Sequence, residues 1–184
     1  MTPLEYKQFC ETTYACPEGT DREEYLRLLL IDEEYLCLLL IEKLGKVASL
    51  LAKAMRDGVS RVEDGYTSDP KIDHTYGPEA VDREALKKEL GDVMWCAAML
   101  DDRDWRQNIV AWPVEKPWWL NDRPASEMLG DIWAEYDDGA SALMWACFAV
   151  IKLGFAPEEV ATANVEKLKG RRERGTIHGA GDER

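Results

Sequence analysis

Apolar residues recur along most of the chain with the spacing of a helix face. In residues 82–100, for example, Leu86, Leu90, Val93, Met94 and Ala97 follow this period. The same pattern predicts a compact set of helices over residues 3–14, about 21–56, 82–100, 127–153 with a break at Asp138-Gly139, and 155 to about 169. The prediction is therefore an all-α protein with four or five main helices packed as a bundle.

A ten-residue repeat lies in the first long helical region. Glu23–Asp32 reads EEYLRLLLID and Glu33–Glu42 reads EEYLCLLLIE. Two β-strands are an alternative, but the abundance of leucine favours a helix. Ten residues at about 3.6 per turn do not return to the same face, so this helix is apolar nearly all round. We expect it to be central in the bundle or to form the interface of a homodimer or higher homo-oligomer.

Two segments lack helical spacing. Residues 59–81 are rich in Gly, Pro, Asp and Ser and are predicted to form a loop. Residues 101–126 contain four tryptophans and three prolines and are predicted to be irregular. A tryptophan there either stacks on a ligand base or fills the core or an interface.

The charge and cysteine content narrow the class of protein. The chain has 36 acidic and 23 basic residues, a net charge of −13, which argues against nucleic acid or an anionic membrane as partner. The longest strongly apolar run, Leu36 to Ile41, is far too short to span a bilayer, and the first residues do not resemble a signal peptide. Five cysteines without CxxC spacing indicate buried free thiols, so we expect a soluble cytoplasmic protein.

Two pairs of polar residues have a spacing that would let each pair bind one ligand. Glu89 and Asp92 are three residues apart on one helix face, where two carboxylates can reach one Mg²⁺. A solvated acidic face has the same spacing, so both interpretations stay open. Asn164 and Lys167 are also three apart, and an amide with an ammonium suits a phosphate oxygen. The alternative is a basic last turn that complements the helix dipole.

Several segments together resemble the MazG-like all-α nucleoside triphosphate pyrophosphohydrolases. They are TPLEYKQFC near the start, KAMRDG at 53–58, REALKKELGDVMW at 83–95 and GFAPEEVATANVEKLKGRRERGTIHGAGDER at 154–184. The resemblance implies a single domain over residues 1–184 with a four-helix core, usually dimeric or higher. It implies cleavage of nucleoside triphosphates to the monophosphate and pyrophosphate. It also implies Mg²⁺ (or Mn²⁺) held by an ExxE helix and an ExxD helix.

The functional residues of the family carry over only in part. The resemblance makes Glu89 and Asp92 the metal-binding and catalytic ExxD pair. It implies substrate binding by Lys53, Trp95, Asn164, Lys167, Arg171, Arg174 and His178. The ExxE pair, however, falls on Lys43 and Lys46, and each lysine replaces an acceptor with a cation. Positive charges beside a divalent cation are unfavourable, so these lysines either pair with Glu89 and Asp92 or hold phosphate directly.

A further segment offers substitutes for the missing carboxylates. Residues 101–142 look like an insertion before the last helices of the family, and Met128-Leu-Gly-Asp131 is similar to Glu89-Leu-Gly-Asp92. Asp131 and Glu135 are candidate replacement ligands, and the alternative is a solvent-facing acidic edge. The chain ends in a basic, Gly-rich tail at 170–184.

Two functions therefore follow from the sequence. The first is a nucleoside triphosphate pyrophosphohydrolase with an impaired or rearranged metal site. The second is a non-catalytic nucleotide-binding protein, such as a sensor, a decoy or a regulatory subunit. It would keep the phosphate-binding residues and need no metal.

Overall fold

The computed structural model describes residues 1–13, 33–59, 82–100, 111–120, 123–135 and 139–174. These ranges contain α-helices, one 3-10 helix at Trp118–Leu120 and no β-strand. The α-helices are α1 Pro3–Thr13, α2 Glu33–Val59, α3 Arg83–Leu100, α4 Ala125–Ala134, α5 Gly139–Lys152 and α6 Pro157–Glu173. The all-α prediction is confirmed. The block Glu33–Glu42 is helical, whereas the matching block Glu23–Asp32 lies outside the described residues.

Helix α3 lies at the centre of the described helices. It packs against α1, α2, α5 and α6. Leu86, Leu90, Val93, Met94 and Ala97 are all buried, as their spacing predicts. Small buried residues of α3, such as Gly91 and Ala98, let neighbouring helices approach closely, because a short side chain takes little space between two backbones. The most buried residues of α1, α3, α5 and α6 belong to one hydrophobic core.

Helix α2 is buried on one side only. Leu36, Leu40, Leu44, Val47, Leu51 and Ala54 face the core, at the three- or four-residue spacing of one helix face. Tyr35, Leu38 and Ile41 lie on the opposite side and Met55 lies at the edge of the buried face, and these four apolar side chains are 45–59% exposed. We call these four residues the exposed stripe. Central burial of α2, one of the two expectations for this helix, is therefore wrong for that side.

The region after α3 alternates irregular chain and short helices. Residues 111–117 are irregular, as predicted, and the predicted helix over 127–153 is two helices separated between Ala134 and Gly139. Trp119 packs edge-on against Trp145 and Phe148 of α5, with ring centroids 5.8 and 5.1 Å apart. This tryptophan fills the core, which was one of the two roles considered for the segment.

The first and last helices differ from the prediction, α1 in the face that it buries and α6 in its length. Leu4, Phe9 and Tyr14 are the apolar candidates of the first predicted helix, but Leu4 is 37% exposed, because α1 packs Tyr6, Cys10 and Thr13 against its neighbours. Helix α6 continues to Glu173, beyond the expected end near Lys169. Most of the predicted loop at 59–81, and the chain after Arg174, lie outside the described residues.

Among the described residues, no single helix is both long and apolar enough to cross a bilayer. A bent pair, Ser141–Lys152 with Pro157–Glu173, passes on length and composition alone. Many of its apolar residues, such as Leu143, Val150 and Val160, are buried in the core.

Candidate functional site

The carboxylate of Asp92 is surrounded by nitrogen atoms from two other helices. Asp92 lies on α3 and is only 8% exposed. From α6, Asn164 Nδ2 donates to Asp92 Oδ1 at 3.1 Å and Lys167 Nζ donates to the same oxygen at 2.6 Å. From α2, Lys43 Nζ lies 3.9 Å from Asp92 Oδ2. Asp92 of the first pair therefore meets both members of the second pair, Asn164 and Lys167, across the α3–α6 contact.

The lysines at the ExxE positions face carboxylates. Lys46 Nζ lies 3.0 Å from Glu42 Oε1, and Lys43 Nζ lies 3.5 Å from the same oxygen. The hydrogen bond with Glu42 raises the pKa of Lys46, and the negative charge of Glu89 raises it further, against the opposing effect of burial. Glu89 and Asp92 thus have ammonium groups beside them. We call the set Lys43, Lys46, Glu89, Asp92, Asn164 and Lys167 the Asp92 cluster.

Glu89 carries an acceptor that nothing nearby satisfies. Its Oε2 atom is shielded from solvent and has no hydrogen-bond partner among the described residues. Leaving a buried polar atom without a partner costs about 1–3 kcal/mol. Glu89 Oε2 is thus a shielded acceptor that receives no hydrogen bond from the described residues.

The charges of the Asp92 cluster and its neighbour Glu42 are balanced, in a chain that is negative overall. Burial lowers the pKa of Lys167, and the positive charges of Arg171 and Lys88 lower it further, whereas Asp92 raises it. Three ammonium groups, of Lys43, Lys46 and Lys167, face the three carboxylates of Glu42, Glu89 and Asp92. Arg171 and Lys88 add positive charge near Lys167, although each also has an interaction partner of its own, and the whole chain has a net charge of −13.

The Asp92 cluster does not fit a divalent cation held by several carboxylates. Both oxygens of Asp92 already face cationic or amide nitrogens. No group of three or more His, Cys, Asp or Glu side chains that could hold a metal ion occurs in the described part of the chain. A divalent ion there would also meet the ammonium groups of Lys43 and Lys46, which repel it.

The other residues predicted to bind substrate have varied surroundings. Trp95 donates from Nε1 to Thr13 Oγ1 at 3.0 Å, so its indole joins α3 to α1. Lys53 is exposed on α2, about two turns beyond Lys46. Arg171 and Arg174 continue the helix face of Lys167 along α6. His178 lies outside the described residues.

The candidate replacement ligands in the insertion have a different environment. Asp131 Oδ2 lies 2.7 Å from Arg123 Nη2, in a geometry typical of an ion pair rather than of an aligned hydrogen bond. Arg123 also covers the ring of Trp145. Glu135 is the C-cap residue that follows the last residue of α4. Neither acid joins Glu89 and Asp92 in a metal-binding group within the described ranges.

One residue of the site has no place in the sequence-based prediction. Tyr6 on α1 places its hydroxyl 3.1 Å from Asn164 Oδ1 and 3.3 Å from the backbone oxygen of Gly91. Tyr6, Cys10 and Thr13 are spaced as one helix face. That spacing is the signal that could have identified Tyr6 as an inward-facing residue, although not its partner.

Comparison with known proteins found no match: no family model, no curated protein and no solved structure is similar to this chain. The resemblance to MazG-like enzymes therefore stays a prediction that rests on the residues quoted for it.

Proposed function

We propose that this protein binds a nucleotide through its phosphates at the Asp92 cluster, without a divalent cation and without hydrolysing it. One observation carries the proposal. The ammonium groups of Lys43 and Lys167 lie on the two sides of Asp92, where the resembled enzymes would hold a metal ion. A lysine ammonium supplies positive charge to a phosphate as a metal ion does, but it does not activate water.

The electrostatics of the Asp92 cluster support an anionic ligand. The ammonium groups of Lys43, Lys46 and Lys167 lie together in the Asp92 cluster and can attract an anion, even though the chain as a whole repels one. Lysine carries three rotatable donors on a flexible stem, so Lys43 and Lys46 can move from Glu42 to an incoming phosphate oxygen. The amide of Asn164 adds a neutral donor. Such a protein would serve as a sensor, a decoy or a regulatory subunit.

The second candidate function is a nucleoside triphosphate pyrophosphohydrolase that uses Mg²⁺ or Mn²⁺. The observation that favours it is the shielded Glu89 Oε2 atom, an acceptor without a hydrogen-bond partner among the described residues. A single carboxylate with water and phosphate is within the range of Mg²⁺ coordination. Against it stand the ammonium groups of Lys43 and Lys46 beside the same carboxylates.

Calorimetry and a turnover assay separate the two functions. The purified chain is titrated with a panel of nucleoside triphosphates in EDTA and again in Mg²⁺, while pyrophosphate release is measured in parallel with Mg²⁺ or Mn²⁺. The proposal predicts binding that persists in EDTA, weakens as salt is raised, and is not followed by turnover. Pyrophosphate release that Glu89→Gln abolishes would instead establish the hydrolase.

Charge reversal on α2 tests the lysines directly. Lys43→Glu should weaken nucleotide binding in EDTA by at least about tenfold, because it turns an attraction for phosphate into a repulsion. Lys116→Glu is a control with the same charge change on an exposed lysine outside the Asp92 cluster. The double variant Lys43→Glu, Lys46→Glu restores the four carboxylates of the resembled family, and metal-dependent turnover gained there would show that only these lysines prevent hydrolysis.

We also propose that the exposed stripe of α2 is covered by a second copy of the chain. Tyr35, Leu38, Ile41 and Met55 place exposed apolar surface on the same helix that holds Lys43 and Lys46. At Gly45, on this side of the helix, an added Cβ would meet nothing within 4 Å. Light scattering should give twice the chain mass. Leu38→Glu should give the single-chain mass, and a single-chain mass for the unaltered protein would contradict the proposal.

A further inference from the structure

The hydroxyl of Tyr6 on α1 lies 3.1 Å from the amide oxygen of Asn164, a side chain of the Asp92 cluster. We propose that Tyr6 is a positioning residue, which holds the amide of Asn164 in the orientation that the Asp92 cluster requires. The expected effect of Tyr6 on ligand binding rests on the function proposed above. Its effect on the orientation of the Asn164 amide does not depend on that function.

The orientation of the Asn164 amide is decided by its two neighbours. Asp92 Oδ1 needs a donor, and Asn164 Nδ2 supplies it at 3.1 Å. If the amide were turned over, its oxygen would face the carboxylate oxygen and repel it. Asn164 Oδ1 therefore points to Tyr6, and the phenol, at 3.1 Å, is the donor to it.

Tyr6 is suited to remain a donor at all ordinary pH values. Its side chain is fully buried, with 0% exposure. Burial raises the pKa of the phenol well above its usual value of 10.0, and the negative charge of Asp92 contributes to the rise. The ring also packs edge-on against Trp112 at 5.9 Å, which fixes the direction of the hydroxyl.

The backbone of α3 at Gly91 packs closely against the side chain of Asn164. A Cβ atom added at Gly91 would lie 3.0 Å from Asn164 Cβ and 3.2 Å from Asn164 Nδ2. The same phenol lies 3.3 Å from the backbone oxygen of Gly91. Tyr6 thus contacts both α3 and α6 where Gly91 and Asn164 pack closely, and its hydroxyl links α1 to the Asp92 cluster.

The test of the amide orientation needs no ligand. The chain has three asparagines and two glutamines, so a ¹⁵N-correlated NMR spectrum contains few side-chain amide signals, and Asn164→Ala identifies the pair from Asn164. In Tyr6→Phe this pair should shift and lose its protection from solvent exchange. In Tyr35→Phe, which removes an exposed hydroxyl, it should not change. An unaltered pair in folded Tyr6→Phe would overturn the proposal.

The unaltered protein provides a measurement that does not depend on the folding of a variant. The phenolic proton of Tyr6 should exchange slowly with water and show a nuclear Overhauser effect to the α3–α6 contact at Gly91. Absence of that slowly exchanging proton would also overturn the proposal.

A double-mutant cycle then measures the effect on ligand binding. Tyr6→Phe should weaken binding of the best nucleoside triphosphate about fivefold, the value of one neutral hydrogen bond. In the Asn164→Ala background the same change should have less than about a twofold effect, because the partner is absent. An equal loss in both backgrounds would mean a general structural role and would overturn the proposal. If the unaltered protein binds no nucleotide, the proposed function fails while the NMR result still decides the role of Tyr6.

Discussion

The tripeptide Leu-Gly-Asp occurs in two helices of this chain, at residues 90–92 in α3 and at 129–131 in α4. Asp92 faces three other polar side chains from two helices, with an amide and an ammonium nitrogen on one oxygen. Asp131 faces the guanidinium of Arg123, eight residues away in sequence. The same tripeptide thus contributes to a candidate site in one helix and to a local ion pair in the other.

The glycines of the two tripeptides differ in the same way. At Gly91 an added Cβ would press on Asn164, whereas at Gly130 it would meet nothing within 4 Å. A helix can carry Leu-Gly-Asp for reasons that differ from place to place. The neighbouring helix, and not the motif, therefore gives the aspartate its role.

The two tripeptides should differ most in the stability lost when their aspartates are neutralised. Asp92→Asn should lower the free energy of unfolding by about 2–3 kcal/mol, because Lys167 would then lie partly buried without its negative partner. Asp131→Asn should cost less than about 1 kcal/mol, since that pair is more exposed. Urea denaturation measures both, and equal losses would mean that the two aspartates are equivalent.

Adding one methyl group to each glycine should change stability in opposite directions. Gly91→Ala should destabilise the protein by about 1–3 kcal/mol through overpacking against Asn164, and it should weaken nucleotide binding. Gly130→Ala should stabilise the protein by up to about 1 kcal/mol, because alanine is the better helix former in open space. A gain in stability at both positions, measured by thermal unfolding, would contradict the close contact at Gly91.

The tryptophans that follow the two tripeptides give a smaller contrast. Trp95→Phe removes the hydrogen bond to Thr13 and should cost about 1 kcal/mol. Trp133→Phe alters a side chain that is 38% exposed and should cost less. Calorimetric titration of both variants with nucleotide then tests the role expected for Trp95. If the nucleotide affinity falls in Trp95→Phe but not in Trp133→Phe, Trp95 contacts the base. If the affinity is unchanged in both, the Trp95 indole only packs against α1.

The smallest effect concerns pH. Burial lowers the pKa of Lys167 below its ordinary value of 10.5, so the folded state releases this proton before the unfolded state does. The cost of burying the charge is present at neutral pH and disappears as the pH rises towards 10.5. The difference in free energy of unfolding between the unaltered protein and Lys167→Met should therefore increase over this range, in favour of the unaltered protein.

Lys87 provides a control of the opposite sign. Its hydrogen bond to Glu159 raises the pKa of Lys87 above 10.5, so its contribution to stability is retained up to that pH and is lost only above it. The difference between the unaltered protein and Lys87→Met should not increase below pH 10.5. The same rise in both variants would assign the effect to a group other than Lys167.

Much of the fold could be predicted because helical spacing is local. The buried face of α3, from Leu86 to Ala97, follows from the 3.6-residue period alone. The inward face of α1 was predicted from Leu4 and Phe9, whereas its contacts with α3 and α6 bury Tyr6, Cys10 and Thr13. The exposed stripe of α2 was indistinguishable from its buried side, because both consist of large apolar residues.

The sequence by itself determined which residues share a helix face. The spacings of Glu89 with Asp92 and of Asn164 with Lys167, and the lysines at 43 and 46, are properties of single helices. Only the tertiary structure decided which faces meet. Asp92 accepts a hydrogen bond from Lys167, which is 75 residues away in sequence, and Asn164 accepts one from Tyr6, which is 158 residues away. Contacts at such separation depend on how whole helices pack, which no local pattern contains.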